Sequence, residues 1–199
     1  MKALWIAAAL LPPAAGAAQQ PERRVLPGDR VAVYNLAGIM RLERGTGDAV
    51  VVEFTRGGPD AAKLTIATGS LRGRETLRVI YPDDDLVYRA LGHDGDVTLH
   101  VRDDGTFNDR EGRHWSDAGR RVRIAGSGSG LDAFADVRIA IPAGKVVEVY
   151  LAAGRVFGSN VDGDLRVDVA SADVSADHVK GSLLVDTGSG DVQRALDVV

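Results

Sequence analysis

Between residues 31 and 101 apolar side chains fall at every second position in short runs: Val31 and Val33, Val50 and Val52, Leu64 and Ile66, Leu77 and Val79, then Val97, Leu99 and Val101. Each run gives way to turn formers, as at Gly45-Thr-Gly47, Arg56-Gly-Gly-Pro59, Pro82-Asp-Asp-Asp85, His93-Asp-Gly-Asp96 and Asp103-Asp-Gly105. Successive side chains of a strand point to opposite faces, so this alternation predicts serial short strands. No window carries apolar residues at helical spacing, and the chain is expected to be all-β. The alternation lapses between Thr106 and Arg120, where a long loop pinned by Phe107 and Trp115 is expected. Gly126-Ser-Gly-Ser-Gly130 marks a flexible turn before the pattern resumes.

From Asp136 onward the alternation becomes a repeat. Gly163-Asp-Leu-Arg-Val-Asp-Val-Ala-Ser-Ala-Asp-Val174 lies over Gly181-Ser-Leu-Leu-Val-Asp-Thr-Gly-Ser-Gly-Asp-Val192, and Lys145, Gly163 and Gly181 mark equivalent starts 18 residues apart. In this register Val147 meets Leu165 and Leu183, Val149 meets Val167 and Val185, and Val156 meets Val174 and Val192. Two inward stripes per unit predict two short strands per coil. The fold expected is a β-solenoid, parallel β-helix-like, with about 18 residues per coil and further short β-strands before it. An antiparallel meander or sandwich is the competing arrangement. The register also stacks Asp168 on Asp186 and Asp173 on Asp191. Like charges on adjacent strands repel, and turn N–H groups, or failing those a cation, are expected to offset them.

The organisation that follows is a signal peptide at 1–18, an extended leader at 19–30, an N-terminal β region at 31–125 and a β-repeat region at 126–199. The apolar run Ala3 to Leu11 with Ala14-Ala15-Gly16-Ala17-Ala18 behind it suits cleavage near Ala17 or Ala18, and is too short to span a bilayer. The repeat reaches Val199 without a polar cap, so truncation there is expected; a bare strand edge would also permit end-to-end self-association.

Composition narrows the chemistry. With 199 residues, 45% hydrophobic but only 5% aromatic, the core must be built from small and β-branched side chains. The absence of cysteine excludes disulfides, thiol nucleophiles and a lipid-acceptor residue. The net charge of −4 argues against nucleic acid as a partner. Gly126-Ser-Gly-Ser-Gly130 has glycine where a hydrolase nucleophile would sit. His93, His100, His114 and His178 are never paired at zinc-ligand spacing, and no acidic turn completes a calcium loop. No catalytic residue, metal ligand or cofactor is assigned, and the protein is not expected to be an enzyme. The candidate ligand contacts are Arg113, Trp115, Arg120 and Arg121, a basic and aromatic stretch suited to an anionic or carbohydrate ligand.

Arg24-Val-Leu-Pro-Gly-Asp-Arg-Val-Ala-Val-Tyr-Asn-Leu-Ala-Gly38, Gly163-Asp-Leu-Arg-Val167 and Ser189-Gly-Asp-Val192 resemble the bacterial "putative adhesin" β-strand-repeat family, a domain family of unknown function. The resemblance implies an exported β-helix-like protein and specifies no active site. The function expected is that of a non-catalytic cell-envelope protein, periplasmic or extracellular and without a transmembrane anchor after signal cleavage. It would be an adhesin-like or structural β-repeat module associating with an envelope protein or glycan. A carbohydrate-binding or carbohydrate-processing β-helix protein and a calcium-dependent binding module are the alternatives.

Overall fold

The computed structural model describes residues 21–109 and 119–195; the signal peptide expected at 1–18 lies outside them. In chain order the strands are β1 (Glu22–Leu26), β2 (Arg30–Arg44), β3 (Val50–Gly57), β4 (Thr65–Leu71), β5 (Arg74–Ile80), β6 (Asp85–Val87), β7 (Asp96–Val101), β8 (Arg120–Ala125), β9 (Leu131–Asp132), β10 (Phe134–Ile141), β11 (Lys145–Ser159), β12 (Gly163–Asp177), β13 (Leu183–Ser189) and β14 (Val192–Ala195). The only helical turns among the described residues are two short 3-10 turns, Ala61–Lys63 and Arg89–Leu91. The chain is all-β, with mixed parallel and antiparallel pairing.

β11 and β12 pair in parallel with the register read from the repeat: Lys145 opposite Gly163, Val149 opposite Val167, Val156 opposite Val174. β13 and β14 continue it, with Val185 opposite Val167 and Val192 opposite Val174. The two short strands per unit are realised differently in successive units. β11 and β12 are each one unbroken strand of 15 residues, and only the last unit divides in two. Pairing between β11 and β12 passes over Ala152 and resumes at Ala153, and Gly154 has φ +139°. The strand bends there without losing its ladder. A Cβ at Gly154 would fall on the carbonyl oxygen of Gly38, and one at Gly190 on that of Ala172, so these two positions require glycine, whereas β12 passes the equivalent point with Ala172.

β2 belongs to the same stack. It pairs in parallel with β11 from Val146–Arg30 to Ser159–Glu43, placing Gly38 beside Gly154 and Tyr34 beside Tyr150. Its other edge is shared: Val31 to Tyr34 pair with β5, and Met40 to Arg44 pair with β10. The ten-stranded sheet therefore forks at the bend. One limb runs β4–β5–β2–β11–β12–β13, the other β1–β3–β10–β2–β11–β12–β14. A four-stranded sheet, β7–β8–β6–β9, packs beside it, and the buried apolar residues of both sheets form one continuous cluster.

Of the two stacked aspartate pairs, Asp173 and Asp191 are reconciled by a bond between units rather than within a turn, while Asp168, opposite Asp186, accepts from Asn108. Asp173 accepts the backbone N–H of Asp191 at 3.0 Å, and Asp164 accepts the N–H and hydroxyl of Ser182 at 2.9 and 2.7 Å. Each carboxylate thus satisfies the next unit's backbone at a corner where the ladder is interrupted.

Candidate functional site

The densest polar constellation sits on the β5–β2–β11–β12 limb. Val147, Val149 and Leu151 fill one face of β11, so the alternation directs Glu148 and Tyr150 to the other, where strand pairing puts Tyr34 and Asp168 alongside Tyr150. Tyr34 and Tyr150 stack with centroids 4.3 Å apart and planes 4° from parallel, and Phe107 meets both edge-on. Beside the rings the Arg74 guanidinium lies only 2% exposed. It donates to Glu148 at 2.5 Å and to Asp109 at 2.8 Å. Asp109 also accepts the Tyr34 hydroxyl at 3.0 Å and pairs with Arg72, while the Tyr150 hydroxyl donates to Glu148 at 2.8 Å. Asn108 donates to Asp168 at 3.0 Å.

A buried arginine is tolerable only when its donors are matched, and here two carboxylates match them. Burial pushes the Asp109 carboxyl up, but the Arg74 guanidinium, the Tyr34 hydroxyl and Arg72 outweigh it and hold the group below its ordinary range. Burial raises the Tyr34 and Tyr150 hydroxyls, so both remain protonated donors. The arrangement is a closed lattice of paired charges under Phe107. Its chemistry is adhesive: it fastens the Thr106–Asp109 segment to the sheet, and the stacked rings leave no room between them for a substrate.

The residues singled out from the sequence do not gather here. Arg113, Trp115 and His114 lie outside the described residues. Arg120 donates to the Asp83 carbonyl at 2.6 Å, pairs with Asp84 and reaches the Tyr81 carbonyl, tying β8 to the turn before β6. It lines a recess of about 200 Å³ with Tyr81, Asp103 and Gly105. Arg121 is the next residue of the strand, faces the other way and lies opposite His100. His93, His100 and His178 are exposed. Among the described residues no three His, Asp or Glu converge as metal ligands.

Arg74, Glu148, Tyr34 and Tyr150 escaped the sequence reading. For the two tyrosines alone there was a signal, a second, distant match: Val31-Ala-Val-Tyr-Asn-Leu-Ala-Gly38 and Val147-Glu-Val-Tyr-Leu-Ala-Ala-Gly154 share Val, Val, Tyr, Ala and Gly at the same spacing. The matched residues lie side by side in the parallel pairing of β2 with β11.

No family model matches the chain, and no curated protein matches it. A solved structure is similar, that of a "putative cell adhesion protein" from Clostridium sporogenes: 8% identity, 88% of this chain and 99% of that chain covered, TM-score 0.39.

Proposed function

We propose that the chain is a non-catalytic, exported β-repeat module of the cell envelope, adhesin-like or structural, in which the 18-residue units wind as coils of a β-solenoid and present flat rows of side chains for association. The observation that carries this reading is the parallel, in-register pairing of β11, β12 and the β13–β14 unit. Identical spacing turns each outward position into a row running across strands, a geometry suited to extended partners rather than to a single reacting atom. The strongest acid, base and phenol groups support it from the other side, because Arg74, Asp109, Glu148 and the two tyrosines are consumed by one another.

Fractionation of bacteria expressing the full chain tests this, together with incubation of the purified protein with a panel of polysaccharides. The expected result is recovery outside the cytoplasm, shortened at the amino terminus, with every polysaccharide left intact. Retention in the cytoplasm, or cleavage abolished by an aspartate substitution, would overturn the proposal.

A further inference from the structure

The edges of the two sheets are not alike. A strand edge offers unpaired N–H and C=O groups, and charge, a kink or brevity ordinarily guards it. β1 carries Arg23 and Arg24, β7 carries Asp96 and His100, β14 carries Arg194, β4 is kinked at Gly69 with φ +150°, and β9 is two residues long. β13 has no such guard: its one charge is the half-buried Asp186. Leu184 on its outward face is 59% exposed, more than any other large apolar side chain among the described residues. Leu183 and Val185 face the core and are only partly buried, whereas Leu165 and Val167, on which they stack, are 3% and 2% exposed. The cover that separates the two pairs is one strand wide.

Pairing on the inner side of β13 fixes what its outer side presents. The Leu165 N–H donates to the Ser182 carbonyl at 2.8 Å, so Ser182, Leu184 and Asp186 turn their backbone groups to β12. Alternate residues of a strand turn theirs to opposite sides, so those of Leu183, Val185 and Thr187 face away, and among the described residues no strand pairs with them. This edge complements itself. An antiparallel copy with Leu184 opposite its own counterpart sets Leu183 opposite the partner's Val185 and Val185 opposite the partner's Leu183, with about four backbone hydrogen bonds exchanged. Apolar meets apolar on both faces, and Asp186 falls opposite the partner's Ser182 rather than another acid. Centring the pair on Val185 instead would set Leu184 against the partner's Asp186 and lose the match.

We infer that the chain forms a two-fold dimer through the outer edge of β13, which pairs antiparallel with β13 of a second copy about Leu184, so that one sheet runs from protomer to protomer. This names the partner in the association reading above and rests on it. A second copy is the occupant because the match is of the edge with itself, and because a two-fold axis normal to the sheet keeps both inward stripes on one side, where each covers the other's Leu183 and Val185. β4, the far edge of the same limb, would instead pair head to tail with β13 and build an open filament, and its kink at Gly69 interrupts the strand that would have to dock. The dimer also sets the outward rows of two protomers side by side.

Sedimentation equilibrium of the full chain across micromolar concentrations tests the assignment, with a mass of two chains expected. Leu184→Lys sets two ammonium groups opposite each other, and Val185→Pro removes a donor from the free edge without costing a bond to β12. Each should weaken dimerisation at least about tenfold and leave the far-ultraviolet circular dichroism unchanged. Thr68→Lys on β4 and Val25→Lys on β1 should leave the dimer intact. The chain has no cysteine, so Leu184→Cys should oxidise to a reducible dimer, because Cα atoms of a directly opposed, non-hydrogen-bonded pair lie about 4.5 Å apart; Thr187→Cys should not. A single-chain mass at every concentration, a dimer indifferent to Leu184→Lys, dissociation by Thr68→Lys, or species growing beyond the dimer would overturn the proposal. So would cross-linking through Thr187→Cys in place of Leu184→Cys. If Val185→Pro fails to fold, Leu184→Lys, on an exposed side chain, decides alone. Cytoplasmic retention of the chain would unseat the envelope reading while leaving the Leu184-dependent dimer in place, whereas a monomeric chain would leave export untouched.

Discussion

Tyr34 and Tyr150 lie ring on ring, 4.3 Å apart, on strands joined by parallel pairing but widely separated in the chain. The pair couples the amino-terminal long strand to the carboxy-terminal repeat, and each hydroxyl is tied to a different carboxylate of the Arg74 cluster. Tyr150→Ala should remove about 3–5 kcal/mol of stability through the cavity it leaves. Tyr150→Phe, which keeps the stack and loses one hydroxyl bond to Glu148, should cost about 1–2 kcal/mol. Urea unfolding midpoints followed by far-ultraviolet circular dichroism give both values, and equal effects of the two substitutions would contradict the stacking account.

The repeat register makes a sharper demand at Val167. It is buried between Val149 and Val185, while its neighbour Arg166 is only half-buried. Val167→Asp places an unpaired carboxylate in the core and should destabilise by more than about 4 kcal/mol, whereas Arg166→Gln, which keeps a long polar side chain opposite Glu148, should change stability by about 1 kcal/mol or less. Thermal melts of the two variants side by side distinguish them.

Gly154 combines φ +139° with direct backbone contact against Gly38. Gly154→Ala introduces both strain and a clash, and should cost at least about 1–3 kcal/mol. Gly73, with φ +74° and open space around it, isolates the strain alone, so Gly73→Ala should be the milder change. The difference between their melting temperatures measures the clash.

Acid should loosen the cluster before it unfolds the sheets. Asp109 has its carboxyl lowered in the folded state, so the stability it contributes is present above the unfolded carboxylate pKa and is lost as pH falls through the lower folded value. Asp109→Asn should flatten the dependence of unfolding free energy on pH below about 4. Denaturant titrations at pH 7 and across the acid range supply the comparison.

Much of the architecture was legible in the sequence between Lys145 and Val192, because parallel stacking of equal units puts like residues on like, and the glycine, valine and aspartate columns are the direct record of that contact. β2 was not, since its partners β10 and β11 are remote in the chain and a single Val-x-Val-Tyr-x-x-Ala-Gly match has no neighbouring copy to reinforce it. The long strands were read as two short ones because a glycine bend and a turn leave the same mark, and only the ladder resuming at Ala153 separates them. Arg74 gave no warning. A lone arginine at the start of a hairpin strand reads as solvent-facing until Glu148, Asp109 and Tyr150 arrive from elsewhere. The meeting of Arg41 with Phe157 was hidden for the same reason: the two are brought together only across a strand pair that the local pattern does not announce.

The position of β2 between β10 and β11 sets an order of assembly. β10 and β11 are consecutive in the chain, yet another strand separates them in the sheet, so neither edge of the second half of β2 is satisfied until nearly half the polypeptide has been added after it. Contacts among β11, β12 and β13 close loops of one unit's length and should form early, while insertion of β2 closes a far larger loop and should be slow. The late step is the one that completes the Arg74 cluster and brings Arg41 against Phe157, so the buried lock and that outward contact come into being together, in the last stage of folding.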